Sequence, residues 1–375
     1  MILMNDFKRH VDLLHDELQA AMERVLRSGW FVLGKEVEAF EREFADYVGA
    51  PFAVGVANGM DALQLGLMAW DIGPGDEVIT TPNSAFASTL AILRVGATPV
   101  FVDIDERSYA LDARLVRGAI TERTRAILPV HIYGRAAELE SLAELASQHG
   151  LMLLNDACQA HGATYRGRSI PSFGDAAAYS FYPTKNLGCF GDGGMIVCSD
   201  AARHARLRSL RDYGQAKRYH HLEAGLNSRL DELQAAVLRV KLAHLRAHTE
   251  RRRAIASKYI EGLSGLPLVL PQYDAEAVWH LFVVRTPQRD ALSKFLASQD
   301  VQSLVHYPVL IPAQPAIHSS PAQGRASTPI PYTRGSLPVA ERCADEFLSL
   351  PIHAELSDVE VERVCQAVRA YFERA

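Results

Sequence analysis

"SFYPTKNLGCFGDGG", residues 180–194, joins two short apolar runs through a turn that holds a lysine and four glycines. The flanking runs, "AAAYSF" (176–181) and "GMIVCS" (194–199), read as buried strands, which puts the connecting turn at the edge of a sheet. Lys185 is out of character there. The chain has 39 Lys and Arg residues, of which seven are lysines (8, 35, 185, 217, 241, 258 and 294), so 32 basic positions are arginine. Arginine cannot be deprotonated in a protein, whereas a buried lysine amine can be tuned to act as a nucleophile or base. Lys185 therefore reads as a residue kept for its nitrogen lone pair.

Outward from this turn, helical and strand patterns alternate. "EVITTP" (77–82), "TPVFVD" (98–103), "RAILPVH" (125–131) and "LMLLND" (151–156) are short β-rich runs, with helical spacing near 60–69, 84–95, 111–120 and 136–149. Near-continuous apolar strands separated by helices predict an α/β fold: a mostly parallel sheet covered by helices on both faces. Residues 11–28 open the chain with Val11, Leu14, Leu18, Met22 and Val25 at helical spacing, closed by Gly29. From Leu230 to about Leu263 the pattern becomes one long charged helix. It marks the passage from a large domain, 1–250, to a smaller C-terminal α+β domain, 251–375. Within the latter, residues 308–332 carry six prolines and predict a loop.

In open parallel sheets, ligands collect at the carboxyl ends of the strands. "LMLLNDACQAHGA" ends a strand on Asp156 and offers Gln159 one turn later. A carboxylate at the end of an apolar strand is desolvated and needs a partner, such as a protonated heteroaromatic nitrogen or the start of the next helix. Cys158 and His161 have no recognised ligand spacing, so no metal is expected. "GVANGMDALQLGL" (55–67) runs from strand into helix through Asn58-Gly59, a turn whose N–H groups can close on a phosphate or simply cap the helix. An amine, an acid and a phosphate anchor on one sheet edge are what pyridoxal 5'-phosphate requires.

Composition narrows the alternatives. A chain of 375 residues, 48% hydrophobic and 22% charged, has ample material for a large core. A net charge of −5 argues against a nucleic-acid surface, and "ERRRA" (250–254) reads as the solvated face of a helix. Five cysteines without a CxxC give neither a disulfide framework nor a zinc ribbon. "MILMNDFKRH" lacks a signal-peptide pattern and no run of 18 apolar residues exists, so a soluble cytoplasmic protein without membrane partners is expected.

Over essentially its whole length the sequence resembles the DegT/DnrJ family of nucleotide-sugar aminotransferases, within the aspartate-aminotransferase-like fold type I. The matching stretches are "GWFVLGKEVEAFEREFA", "ANGMDALQLGL", "GPGDEVITTP", "GATPVFVDID", "PVHIYG", "NDACQAHGA", "SFYPTKNLGCFGDGG", "GLNSRLDELQAA", "VHYP" and "SLP". The resemblance implies that Lys185 carries the cofactor and later shuttles a proton. It implies that Asp156 pairs with the pyridine nitrogen, that Gln159 reaches the phenolic oxygen and that Phe86 stacks on the ring. Gly59, Met60 and Ser180 would hold the phosphate. Many members have Thr or Ser where this chain has Met60, so here that contact is a backbone N–H. Asn227 would reach the phosphate from the neighbouring subunit of a homodimer with shared active sites, and Lys217 and Tyr219 would cross the same boundary to the sugar diphosphate. Tyr182, His306 and Tyr307 would line the sugar side. Tyr213 stands where many relatives have His, and segment 308–332 is longer than the family pattern.

The expected reaction moves an amino group from L-glutamate to a nucleotide-linked keto-sugar. "VHYP" favours C3 of a dTDP-linked 3-keto-6-deoxyhexose over amination at C4 of a 4-keto sugar. A dehydratase on this fold would have His in place of Lys185. A non-catalytic regulator or sugar sensor would be expected to lose Lys185 or Asp156. An oxidoreductase of the dinucleotide-binding class would carry GxGxxG, which "GVANGMDA" does not supply.

Overall fold

The computed structural model describes residues 1–318, 330 and 332–374. The amino-terminal pattern folds as two helices, α1 (Phe7–Leu13) and α2 (His15–Ser28), rather than one. The chain leaves helical geometry between them at Leu14, while Asp6 caps the first helix by accepting from the Arg9 N–H. Helix α3 (Lys35–Val48) then buries Val37, Phe40, Phe44 and Val48 on one stripe before the chain enters the sheet.

The sheet is built from β1 (Phe52–Val56), β2 (Glu77–Thr80), β3 (Thr98–Phe101), β4 (Thr124–Leu128) and β5 (Met152–Asp156), joined later by two more strands. Between them run α4 (Gly59–Ala69), α5 (Phe86–Arg94), α6 (Ala113–Ala119) and α7 (Leu139–His149). A small hairpin, β6 (Thr164–Tyr165) and β7 (Arg168–Ser169), precedes β8 (Ala176–Ser180) and β9 (Gly194–Cys198). Among the described residues the main sheet has seven strands in the order β1-β9-β8-β5-β4-β2-β3. Strand β9 runs antiparallel to both neighbours; every other pairing in this sheet is parallel.

Period-2 alternation splits the sheet's side chains between two cores. Val54, Val56, Val78, Leu128, Leu154 and Ile196 face α4 and α5. Ala53, Ala177, Tyr179, Met195 and Val197 face α3 and the first half of the long helix described below, while Ile79, Ile127 and Leu153 face α6 and α7. Helix α4 lies close enough to the sheet that a Cβ at Gly66 would sit 3.0 Å from Ile196 Cδ1. The predicted layered α/β architecture is what forms.

Helix α8 (Ala201–Leu210) and an exposed hairpin, β10 (Gln215–Lys217) with β11 (His220–His221), lead into α9 (Glu232–Gly262). This helix runs unbroken for 31 residues. Its first half packs on α2 and α3, and from Ile255 onward it packs on a separate apolar core with Phe282, Leu292, Leu348 and Val364. That core is formed by β12 (Phe282–Arg285), α10 (Arg289–Ser298), β13 (Phe347–Leu350) and α13 (Asp358–Glu373), with α11 (Pro315–His318) and α12 (Pro338–Glu346) in the same C-terminal part. Ile2 belongs to this core too and bridges Val301, so the first residues of the chain join the C-terminal elements.

One expectation is corrected here. "ERRRA" is not a solvated face throughout. Arg252 is buried, and its Nη1 donates to the carbonyls of Ile352 (2.8 Å), Trp279 (3.2 Å) and His280 (3.4 Å). The expected proline-rich loop lies in part, at 319–329 and 331, outside the described residues.

Candidate active site

The carboxyl ends of β5 and β8 and the amino-terminal ends of α4 and α5 meet at one place. Asp156, the last residue of β5, is buried, and its side chain is fixed from two directions. Ser88 Oγ donates to Oδ2 at 2.7 Å, and the Cys158 N–H donates to Oδ1 at 3.1 Å. Ser88 lies in the first turn of α5, two residues after Phe86, and its hydroxyl is 3.0 Å from that of Ser84. Nothing in the sequence singled out Ser88. The signal was its place next to Phe86 in a helix entering the sheet's edge.

Gln159, one turn beyond Asp156, is held by its carbonyl oxygen. Oε1 accepts the Tyr133 N–H at 2.8 Å, which leaves the amide Nε2 to donate to Tyr307 Oη at 3.3 Å. Tyr133 also donates to the His306 carbonyl and accepts from Asn83 Nδ2 at 3.4 Å. The Asn83 Oδ1 atom is buried with no hydrogen-bond partner among the described residues.

Lys185 leaves β8 through a tight turn in which its N–H donates to the Tyr182 carbonyl at 2.8 Å. A Cβ at Gly188 would collide with the Pro183 carbonyl, so glycine is required for that turn. Lys185 as a whole is half-buried. Its amine end is enclosed, and burial lowers its pKa below the ordinary value, partly offset by Cys158 and Asp156. Three imidazoles share the enclosure. Burial, reinforced by the Lys185 charge, drops His161 to about 3, His306 to about 4 and His280 well below the usual range. All three are neutral at physiological pH. His161 donates from Nε2 to the Ser180 carbonyl (2.8 Å), and His306 Nδ1 is 2.8 Å from Ser349 Oγ. Tyr307, enclosed beside Asp156, is pushed up to about 12.

At the amino end of α4, Asn58 caps the helix by accepting the Asp61 N–H at 2.8 Å. The N–H groups of Gly59 and Met60 head the helix without intrahelical acceptors, as the first turn of any helix must. A Cβ at Gly59 would sit 2.7 Å from Ser180 Cβ and 2.8 Å from Cys158 Sγ. Only glycine lets the helix start come this close to the end of β8. Gly194, the first residue of β9, is constrained too: a Cβ there would collide with the Asn58 carbonyl. The cradle, the enclosed amine and the fixed acid form a site whose residues suit pyridoxal 5'-phosphate.

The remaining expected residues fall into two groups. Phe86 is partly buried at the start of α5 and packs toward Ile311, Ile317 and Ile330, while Tyr182 is 52% exposed at the lysine turn. Asn227, Lys217 and Tyr219 are exposed within one chain, the last two on or beside the β10–β11 hairpin. Asn227 pairs with Asp212 in an antiparallel bridge.

This constellation on a seven-strand sheet is that of a pyridoxal-phosphate enzyme of fold type I. The family model of the DegT/DnrJ/EryC1/StrS aminotransferase family matches residues 12–369, and the chain belongs to that family. It is 50% identical over 372 residues to the dTDP-3-amino-3,4,6-trideoxy-alpha-D-glucose transaminase of Streptomyces venezuelae, covering 98% of this chain and 96% of the relative. To the dTDP-3-amino-3,6-dideoxy-alpha-D-galactopyranose transaminase of Aneurinibacillus thermoaerophilus it is 47% identical over 357 residues, covering 95% of each. The crystal structure of S. venezuelae DesV in complex with a ketimine intermediate superposes with a TM-score of 0.93 at 49% identity, covering 100% of this chain and 99% of that one. The chain is a pyridoxal-phosphate-dependent sugar aminotransferase. Among the described residues no helix is long and apolar enough to cross a membrane.

Proposed function

We propose that the protein transfers an amino group from L-glutamate to C3 of a dTDP-linked 3-keto-6-deoxyhexose. The observation that carries this reading is the Lys185 amine, lowered in pKa by burial and interacting with Cys158 and with Asp156, whose side chain is fixed by Ser88. Names of the relatives point to dTDP-linked sugars aminated at C3, and they favour that carbon over C4. An intact lysine and acid weigh against a purely regulatory role, because a sensor has no use for a buried amine of lowered pKa.

When bound, the cofactor supplies an electron sink and a temporary berth for the amino group. The residues do the rest. Gly59 and Met60 present N–H groups, with Ser180 alongside, to the phosphate dianion at the positive end of α4. Asp156, oriented by Ser88 and the Cys158 N–H, would pair with the ring nitrogen and keep it protonated. Gln159, pinned by Tyr133, would offer its amide N–H to the phenolic oxygen, and Phe86 would pack on the ring. Lys185 Nζ, eased toward its neutral form by burial, would take the proton from the donor's substrate carbon and pass it to the cofactor, and would carry one back to the sugar carbon in the second half-reaction. The three neutral imidazoles leave room for that charge to come and go without a fixed cation beside it. His306, Tyr307 and Tyr182 line the side where the sugar enters.

The reading extends to a homodimer with shared sites. Trp30 (63% exposed), Phe31 and Val32 lie beside the start of α9, where the Phe31 carbonyl accepts the Glu232 N–H, and Phe190 is exposed next to Gln234. Tyr213, Tyr219 and Leu222 add further apolar surface around the exposed hairpin. Apolar area of this kind calls for a partner. A second copy would bring Asn227, Lys217 and Tyr219 to the neighbouring site and make an isolated chain inactive. Division into domains at about residue 250 and a cytoplasmic location belong to the same proposal; five free thiols suit a reducing compartment.

The test is a two-stage assay. Glutamate should bleach the visible band of the bound cofactor, and a panel of 3-keto and 4-keto sugar nucleotides should restore it. Recovery with a dTDP-linked 3-keto sugar, with the amino product identified by mass and NMR, is the expected result. Recovery only with 4-keto sugars would move the chemistry to C4, and no bleaching with glutamate would remove the donor assignment.

A further inference from the structure

Away from Lys185, three side chains from distant parts of the chain converge. His10 comes from α1, His248 from the middle of α9 and Glu355 from the segment between β13 and α13. One ligand atom from each lies within 4.8 Å of the other two. His10 Nδ1 is 2.6 Å from Glu355 Oε1, and the rings of His10 and His248 meet edge to face with centroids 5.6 Å apart. His353 Nδ1 is 3.2 Å from the other carboxylate oxygen, Oε2, and His244 stacks on His248 at 6.1 Å.

A plain hydrogen-bonded pair between His10 and Glu355 explains only part of this. His248 makes no hydrogen bond to any described residue, although its ring is directed against His10. The nearby guanidinium groups are engaged elsewhere. Arg9 is paired with Glu360 through bonds of 2.9 and 3.0 Å and donates to the Glu355 carbonyl at 2.9 Å, while Arg252 is tied to three main-chain carbonyls. The side-chain hydrogen-bond partners of the Glu355 carboxylate are thus the imidazoles of His10 and His353, while Arg9, Lys241 and Arg252 act on it only through their charge.

We propose that His10, His248 and Glu355 form a site for a divalent first-row transition ion of the zinc type. Two imidazoles and one carboxylate are a zinc-type donor set, with a fourth position open to water, whereas calcium and magnesium call for more oxygens. His353 is the outer partner that orients the ligating carboxylate. On binding, the His10–Glu355 contact opens so that both atoms turn to the ion at about 2.0–2.2 Å. Because the ligands come from α1, α9 and the C-terminal core, the ion fastens the amino-terminal helix to the C-terminal part of the chain.

The experiment uses the full-length, tag-free holoenzyme, stripped of metal with a chelator and titrated with Zn2+ against a chromophoric competitor. Co2+ serves in parallel as a visible reporter of the ligand set. The expected result is one ion per chain, a zinc-dependent rise in Tm, and at least a tenfold loss of affinity with loss of the cobalt band in His10→Gln and His248→Asn. The cofactor's own band should be unchanged in those variants. Should either fail to fold, Glu355→Gln keeps the shape of the site and must also weaken the ion at least tenfold. A stripped wild type that takes up no ion, or folded variants that bind it as tightly as wild type, would overturn the assignment.

Discussion

Replacing Gly59 by alanine sets two effects of opposite sign against each other. Helix propensity alone favours alanine by about 0.5–1 kcal/mol. The contacts oppose it: the new Cβ would lie 2.7 Å from Ser180 Cβ and 2.8 Å from Cys158 Sγ, where ordinary contact begins at 3.4 Å. The start of α4 must therefore retreat from the end of β8 by several tenths of an ångström, carrying the Gly59 and Met60 N–H groups with it. Hydrogen bonds to a charged group are worth roughly 1.5–3 kcal/mol each. Losing the geometry of one raises the dissociation constant of the cofactor by roughly 10- to 150-fold. The assay is titration of cofactor-free protein with pyridoxal 5'-phosphate, followed by absorbance. Gly118→Ala in α6 is the control, since a Cβ there meets nothing within 4 Å. It should leave the affinity unchanged. A folded Gly59→Ala variant that binds the cofactor as tightly as wild type would refute the cradle.

Two further outcomes concern stability. His131 and His306 are held neutral by burial, each with its pKa lowered from 6.5 to about 4. The unfolded chain binds protons below pH 6.5 that the folded chain refuses until about pH 4, so stability is lost as pH falls through that window, by roughly 3 kcal/mol for each residue. Urea unfolding at pH 7 and pH 4.5 measures the drop, and His131→Asn should make it shallower. Arg252→Met leaves the carbonyls of Ile352, Trp279 and His280 without this donor, and it should destabilise the fold by about 3 kcal/mol. A urea midpoint equal to that of wild type would contradict that account.

The layers of the fold were legible because their signals are local. Apolar runs such as "LMLLND" and the helical spacing of 230–263 need no distant partner to be read, and β5 and α9 fall where those patterns lie. The break at Leu14 was not legible, since Val11, Leu14 and Leu18 continue one apolar stripe while the backbone departs from it. Arg252 misled for a related reason: a basic run says nothing about which of its members faces carbonyls contributed from residues 279, 280 and 352.

The site divides in the same way. Lys185 stood out through the rarity of lysine, and Asp156 through its place at the end of a strand. Ser88, Asn83 and Tyr133 did not, because their importance lies in what they touch across the sheet edge. The grouping of His10, His248 and Glu355 was invisible for the plainest reason: its members are more than a hundred residues apart along the chain. No short spacing rule can find such a group, and the expectation of no metal rested on short spacings only.

The central claim is that the Lys185 amine carries the cofactor. Borohydride reduction of the holoenzyme, followed by proteolysis and mass spectrometry, tests it most directly. The account predicts a single phosphopyridoxyl-labelled peptide containing Lys185, absent from a Lys185→Ala variant. Label on Lys217, Lys241 or any other lysine, or a Lys185→Ala protein that still transaminates, would contradict it.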